Sequence, residues 1–200
     1  MYDNSADWQM MDFIRIVSLA TVLAASVSTA QSTQRLPINC VFSKPTSCPD
    51  ISALWWSPGF TKAVTRFAGN ERASYFRHDK TLSSQALFGL RGPPESRISL
   101  PGGTYLFAAC PAHECGGQAA AIVLDEHGNI RGIGFSSFHC APRCNFDHRY
   151  LDLYVRRGPS AETITSELST WGRGDHIHSL VQNPQADDDI EHRTSTHLLP

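Results

Sequence analysis

The residues Cys110-Pro111-Ala112-His113-Glu114-Cys115, followed by Gly116-Gly117, place two cysteines, an imidazole and a carboxylate within one short stretch. A disulfide between Cys110 and Cys115 would remove about 2 kcal/mol of chain entropy from the unfolded state. Pro111 fixes one further backbone angle. The four enclosed residues would then be held as a stiff projection. A carboxylate such as Glu114 can hydrogen-bond one ring nitrogen of His113 and fix its orientation. A stiff loop costs little to order on binding, so this one suits insertion into a concave site lined with carboxylates.

Other chemistries fit the same residues less well. Cys110, His113 and Cys115 could form a metal set with His139, Cys140 and Cys144, but the spacing differs from that of zinc knuckles. Redox catalysis would favour Cys-x-x-Cys and an activated thiolate, and neither is evident. A short disulfide that merely ties a hairpin is the plain structural alternative. No metal and no cofactor is expected.

No Gly-x-Ser-x-Gly, His-Glu-x-x-His, P-loop or dinucleotide fingerprint occurs, which argues against an enzyme. Asp125-Glu126-His127-Gly128 falls where a hairpin turn belongs and reads as a solvated tip. His139 and His148 read as loop or sheet-edge residues, and His176 and His178 as flanking the start of the C-terminal tail. Trp55, Trp56 and Phe60 could make a sugar-binding patch, but packing against the back of a sheet is the better reading.

The redox setting comes from the N-terminus. Phe13 to Val27 is apolar apart from Arg15 and small hydroxyl residues, and Ser28-Thr29-Ala30 follows as a small-x-small site. That pattern predicts a signal peptide over residues 1–30, the alternative being a buried N-terminal helix. Asp3, Asp7 and Asp12 make an acidic flank, which a start at Met10 or Met11 would shorten. No cysteine lies near the cleavage point to carry a lipid, so no membrane anchor is expected. The exported chain would be periplasmic or secreted. An even set of six cysteines then favours disulfides. They fall in close couples, Cys40/Cys48, Cys110/Cys115 and Cys140/Cys144. Local pairing is the simplest arrangement, and the gap between Cys140 and Cys144 is the tightest.

The elements that must position the loop can be read from periodicity. The chain of 200 residues fits one ordinary domain, and 17 Lys+Arg against 19 Asp+Glu leaves no basic excess for nucleic acid. Residues 31–50 read as a disulfide-pinned arm. Helical spacing of Phe60, Ala63, Val64 and Phe67 predicts a helix over Thr61–Ala68, with another turn or two around Ser83–Phe88. Proline and glycine between Gly89 and Gly103 predict a linker. Strands are expected at Thr104–Ala109, Ala119–Leu124, Ile130–Phe135 and Tyr150–Arg156, and a closing helix at Ala161–Trp171. In Tyr150–Arg156, Leu151, Leu153 and Val155 share one face and Tyr150, Asp152 and Tyr154 the other. The expected fold is α+β, an antiparallel β-sheet meander packed against flanking helices, the earlier helix covering one face. The core domain spans 51–181, and 182–200 is expected to be a disordered acidic tail.

The segment from Thr104 to Phe135, TYLFAACPAHECGGQAAAIVLDEHGNIRGIGF, resembles the centre of the Ivy family, periplasmic inhibitors of vertebrate (c-type) lysozyme. That family carries a Cys-Lys-Pro-His-Asp-Cys loop between two strands. Cys110 and Cys115 match its cysteines and His113 its histidine. Glu114 stands where the family has Asp, Ala112 where it has Pro, and Pro111 where it has Lys. Leu168 and Trp171 resemble its final helix. The resemblance covers roughly residues 100–175.

The resemblance implies inhibition by occlusion rather than catalysis. Loop 110–115 would enter the cleft of a c-type lysozyme or another lytic peptidoglycan-cleaving enzyme, with His113 between two catalytic carboxylates and Glu114 either orienting the ring or accepting donors at the rim of the cleft. It also makes a homodimer a candidate assembly. The alternative is an envelope binding or structural protein with the same fold and no inhibitory activity, with a small extracellular hydrolase behind both.

Overall fold

The computed structural model describes residues 39–200. The signal peptide expected over 1–30, and the first part of the 31–50 arm, lie outside the described residues. In chain order the elements are α1 (Ile51–Trp55), α2 (Phe60–Ala68), β1 (Arg72–Ala73), β2 (Lys80–Thr81), α3 (Leu82–Gly89), β3 (Ile98–Leu100), β4 (Thr104–Ala109), β5 (Ala119–Asp125), β6 (Ile130–Ser137), β7 (Tyr150–Arg156), α4 (Ala161–Arg173), α5 (Asp175–Leu180) and β8 (Thr194–Leu199). Strands β3 to β8 form one six-stranded sheet in sequence order. Its first five strands run antiparallel, and β8 joins β7 in parallel.

The sheet is mixed and covered on both faces, so its inner strands carry apolar side chains in both directions. From β4 and β5, Phe107, Ala109, Ala120, Ile122 and Leu124 pack with Phe60, Val64 and Phe67 of α2 and Leu82 and Ala86 of α3. The alternate residues Leu106, Ala108, Ala119, Ala121 and Val123 pack with Ile164, Leu168 and Trp171 of α4. The early helix covers one face as expected and α4 covers the other, while the expected antiparallel meander is corrected to a mixed sheet by the parallel strand β8. The alternating glycines of β6 make the second layer possible. A Cβ at Gly132 would lie 2.8 Å from Ile164 Cγ2, and one at Gly134 would lie 3.2 Å from the Trp171 ring. On β7, Leu151, Leu153 and Val155 join this α4 layer and Tyr154 the opposite one, as alternation requires.

The region expected to be a linker contains β3, and Gly92 to Ser96 runs beside the end of β4. Glu95 N–H donates to Ala108 O (2.9 Å), and Gly92 N–H to Cys110 O (2.9 Å). The arm is pinned by Cys40–Cys48, and Arg97 Nη1 donates to Cys48 O at 3.0 Å.

The expected disordered tail is also corrected. Residues 184–187 form a short 3-10 turn, and Thr194–Leu199 is strand β8. The physical reason is Arg149, a fully buried guanidinium at the start of β7. Its Nε and Nη2 donate to the two Asp187 carboxylate oxygens at 2.5 and 2.8 Å, and Nη1 donates to Gly172 O and Ser136 Oγ, each at 2.8 Å. An acidic run that reads as solvated tail thus supplies the counter-ion of a buried cation. Burial would raise the Asp187 carboxyl, but hydrogen bonds from Arg149 and His178 hold it below the usual range.

Candidate partner-binding loop

Two disulfide-closed loops emerge at the same end of the sheet, where β4 ends and β5 begins and where β6 ends and β7 begins. The first is residues 110–118. Ala109 pairs with Ala120 across the base of this hairpin, and Cys110 and Cys115 are bonded with their Cα atoms 5.0 Å apart. Within the ring, Glu114 N–H donates to Pro111 O at 3.0 Å and closes a turn with Ala112 and His113 at its centre. His113 has φ +66°, the left-handed conformation that a turn of this hand requires at its third position. Pro111 is buried, while His113 and Glu114 are exposed. The sequence-predicted residues are therefore brought together, with the imidazole at the tip.

One expectation is not met. No hydrogen bond joins Glu114 to the His113 ring among the described residues; Glu114 contributes its backbone N–H to the turn instead. The left-handed backbone at His113 sets the direction of the ring's Cα–Cβ bond without help from a carboxylate.

The surroundings of the loop are close-fitting. A Cβ on Gly92 would lie 2.2 Å from Cys110 O and 2.7 Å from Ala112 N, so only glycine lets this strand edge approach the ring. Gly117 has φ +93°, and Ser136 Oγ donates to its carbonyl at 2.7 Å. Ser136 is itself hydrogen-bonded to Arg149, so the loop's C-terminal foot connects to the buried charge network.

The second loop carries the Cys140–Cys144 disulfide, which completes the local pairing of all the cysteines. Between the two loops lies a groove of about 580 Å³ lined by His113, Glu114, Gln118, Phe138 and Phe146 among others. Phe146 is 55 % exposed and packs its ring edge-on to buried Phe138 at 5.0 Å. The Gln118 carboxamide oxygen is buried there without a hydrogen-bond partner. Sequence reasoning missed this second wall, although the paired cysteines at 140 and 144 marked it.

The other singled-out residues lie elsewhere. Asp125 Oδ1 accepts from His127 N–H (3.0 Å) and Asn129 N–H (2.9 Å), so the Asp125–Asn129 segment is a self-bonded turn. Phe60 is buried and Trp55 packs against it at 6.1 Å, but Trp56 is 84 % exposed, contrary to its expected packing. His178 Nδ1 bonds Asp187 at 2.8 Å, and His176 Nε2 lies 3.4 Å from Glu95. His139 is not a plain loop residue. Its Nε2 bonds Asp152 Oδ2 at 2.7 Å, and its ring stacks on Tyr150. Beside this pair, Tyr75 and Tyr154 share a 2.6 Å hydrogen bond between their hydroxyls. Burial raises both phenols, Tyr154 to about 12, which keeps them protonated as donors. This polar cluster packs on the face opposite α4, and the alternation of β7 gave its only sequence signal, Asp152 between two tyrosines.

Residues 81–136 match the family model described as Inhibitor of vertebrate lysozyme (Ivy). The Ivy match spans α3 through β6 and includes the whole of loop 110–115. It begins earlier than the resemblance read from the sequence and stops before Leu168 and Trp171. No curated protein and no solved structure is found to match the chain. The α+β architecture, a mixed sheet flanked by helices, is consistent with an Ivy-like topology over the matched segment, which holds α3 and the antiparallel strands β3 to β6. Among the described residues, no group of three or more His, Cys, Asp or Glu side chains could hold a metal ion. No helix among them is long and apolar enough to cross a membrane.

Proposed function

We propose that this protein is a non-enzymatic inhibitor of a c-type lysozyme or a related peptidoglycan-cleaving enzyme. In this reading loop 110–115 enters the enzyme's cleft outside the cytoplasm. The observation that carries it is the exposed His113 at the tip of a disulfide-closed turn, inside the segment that matches the Ivy model.

A glycosidase of this kind needs one protonated and one ionised carboxyl flanking the scissile bond. An imidazole between them fills the space of the sugar and offers a hydrogen bond to each. The His113 side chain is exposed, so both ring nitrogens remain for the cleft. The exposed Glu114 stands at the rim of the cleft, where enzyme donors can reach it. Because the ring is covalently closed, little ordering is left to oppose binding.

The test is peptidoglycan lysis by a c-type lysozyme, followed by turbidity, with the wild type and with His113→Ala. We expect inhibition by the wild type at micromolar concentration or below and at least about tenfold weaker inhibition by the variant, the usual loss for a central interface residue. Uninhibited lysis with micromolar wild-type protein would remove the proposal.

A further inference from the structure

Against the Cys110–Cys115 bridge lies a second cavity of about 440 Å³, lined by Pro93, Pro94, Glu95, both cysteines, Ala119, His176 and Leu180 among others. Its wall is mostly apolar, with Ser96, Glu95 and His176 as the polar residues. Glu95 comes from the segment beside β4 and is 20 % exposed, and His176 comes from α5 and is 62 % exposed. They stand 3.4 Å apart. No lysine or arginine lines the cavity among the described residues.

We propose that this cavity receives a lysine or arginine side chain of the inhibited enzyme, docked at Glu95 while loop 110–115 occupies the cleft. The inference rests on the inhibitor reading and adds a second anchoring site to it. Three features carry it. The disulfide is a wall of the cavity, so an enzyme seated on the loop tip has its neighbouring surface at the cavity mouth. Pro93, Pro94 and Leu180 suit the aliphatic stem of a long basic side chain. The Glu95 carboxylate is mostly buried, and its only basic neighbour among the described residues is a largely exposed imidazole, which can swing aside. A carboxylate in such a setting is a strong acceptor for a guanidinium or ammonium group.

The protonation behaviour agrees. Burial pushes the Glu95 carboxyl up, while His176 and the nearby Trp171 indole pull it back. An entering cation favours the ionised form, so binding should strengthen as pH rises through the raised Glu95 value. His176 faces Glu95 from α5, and Trp171, which does not titrate, from α4.

The direct experiment uses N-acetylargininamide as probe and follows backbone amide NMR signals of the free full chain. We expect saturable shifts at Glu95, Ser96 and His176 in the wild type. Glu95→Gln should weaken them by at least about tenfold, the scale of a desolvated charge pair. His176→Ala, which removes the competing imidazole, should retain or strengthen them. Absence of shifts at these residues, or equal responses in wild type and Glu95→Gln, would overturn the proposal. This arm needs no lysozyme and is readable even if the inhibitor reading fails. In the lysis assay, Glu95→Gln should weaken inhibition about tenfold. Unchanged inhibition by a folded Glu95→Gln protein would overturn the anchoring site and leave the loop reading standing.

Discussion

At the scale of single residues, His113 combines two roles that can be separated. Its backbone sits at φ +66° and its ring is exposed. Glycine adopts that backbone freely, whereas alanine pays a steric cost there. His113→Gly should therefore keep the wild-type melting temperature or raise it slightly while losing inhibition. His113→Ala should lose inhibition and be less stable than the glycine variant by about 1 kcal/mol. Thermal melts and lysis assays on both variants check this. A glycine variant that inhibits like wild type would remove the imidazole from the account. The position of His113 in a loop was legible from its spacing between cysteines, but its left-handed backbone was not, because histidine does not announce that conformation as glycine does. The expected partnership between Glu114 and the ring was likewise unmet, since adjacency in sequence does not bring two exposed side chains together.

At the scale of elements, the loop depends on what lies beneath it. Gly92 has no room for a Cβ against Cys110 O, so Gly92→Ala should displace the segment that carries Glu95 or shift the ring. Overpacking of this kind costs about 1–3 kcal/mol. We expect a lowered melting temperature with weakened inhibition, checked by denaturant titration alongside the lysis assay. Replacing Cys110 and Cys115 together by serine should cost about 2 kcal/mol and weaken inhibition further by releasing the tip. The strands at Thr104–Ala109 and Tyr150–Arg156 were legible to the residue, because alternation and β-branched or aromatic content mark them. Strand β3 was not, because three residues framed by proline and glycine offer too short a pattern to distinguish a strand from a connection.

At the scale of the whole molecule, Arg149 joins the start of β7, the end of α4 and the turn at 184–187, which leads into β8. Arg149→Ala would leave Asp187 without its main partner and should cost about 3 kcal/mol or more. Hydrogen exchange should show β8 losing protection before the central strands. Acid should act on the same network. Asp187 is held below its ordinary value, so it contributes stability above the unfolded carboxylate value near about pH 4. That contribution is lost as pH falls through the depressed folded value. Acid titration of Asp187→Asn should lack this step, and a variant with the wild-type acid profile would contradict it. The two-layer core was half legible: the helix patterns and the strand Ile130–Phe135 were visible, while nothing in the sequence showed that Gly132 and Gly134 make room for α4. The C-terminal strand was hidden because Asp187, Asp188 and Asp189 signal solvation unless the buried Arg149 that pairs with Asp187 is known.

The claim on which the functional account turns is that the tip of loop 110–115 lies in the catalytic cleft of its target. Calorimetric titration of the full chain into a c-type lysozyme, with the cleft empty and with it filled by a chitooligosaccharide, tests this most directly. The account predicts a tight complex with the empty enzyme and an apparent affinity that falls in proportion to oligosaccharide occupancy. Equal affinity for empty and filled enzyme, or no complex with either, would contradict it.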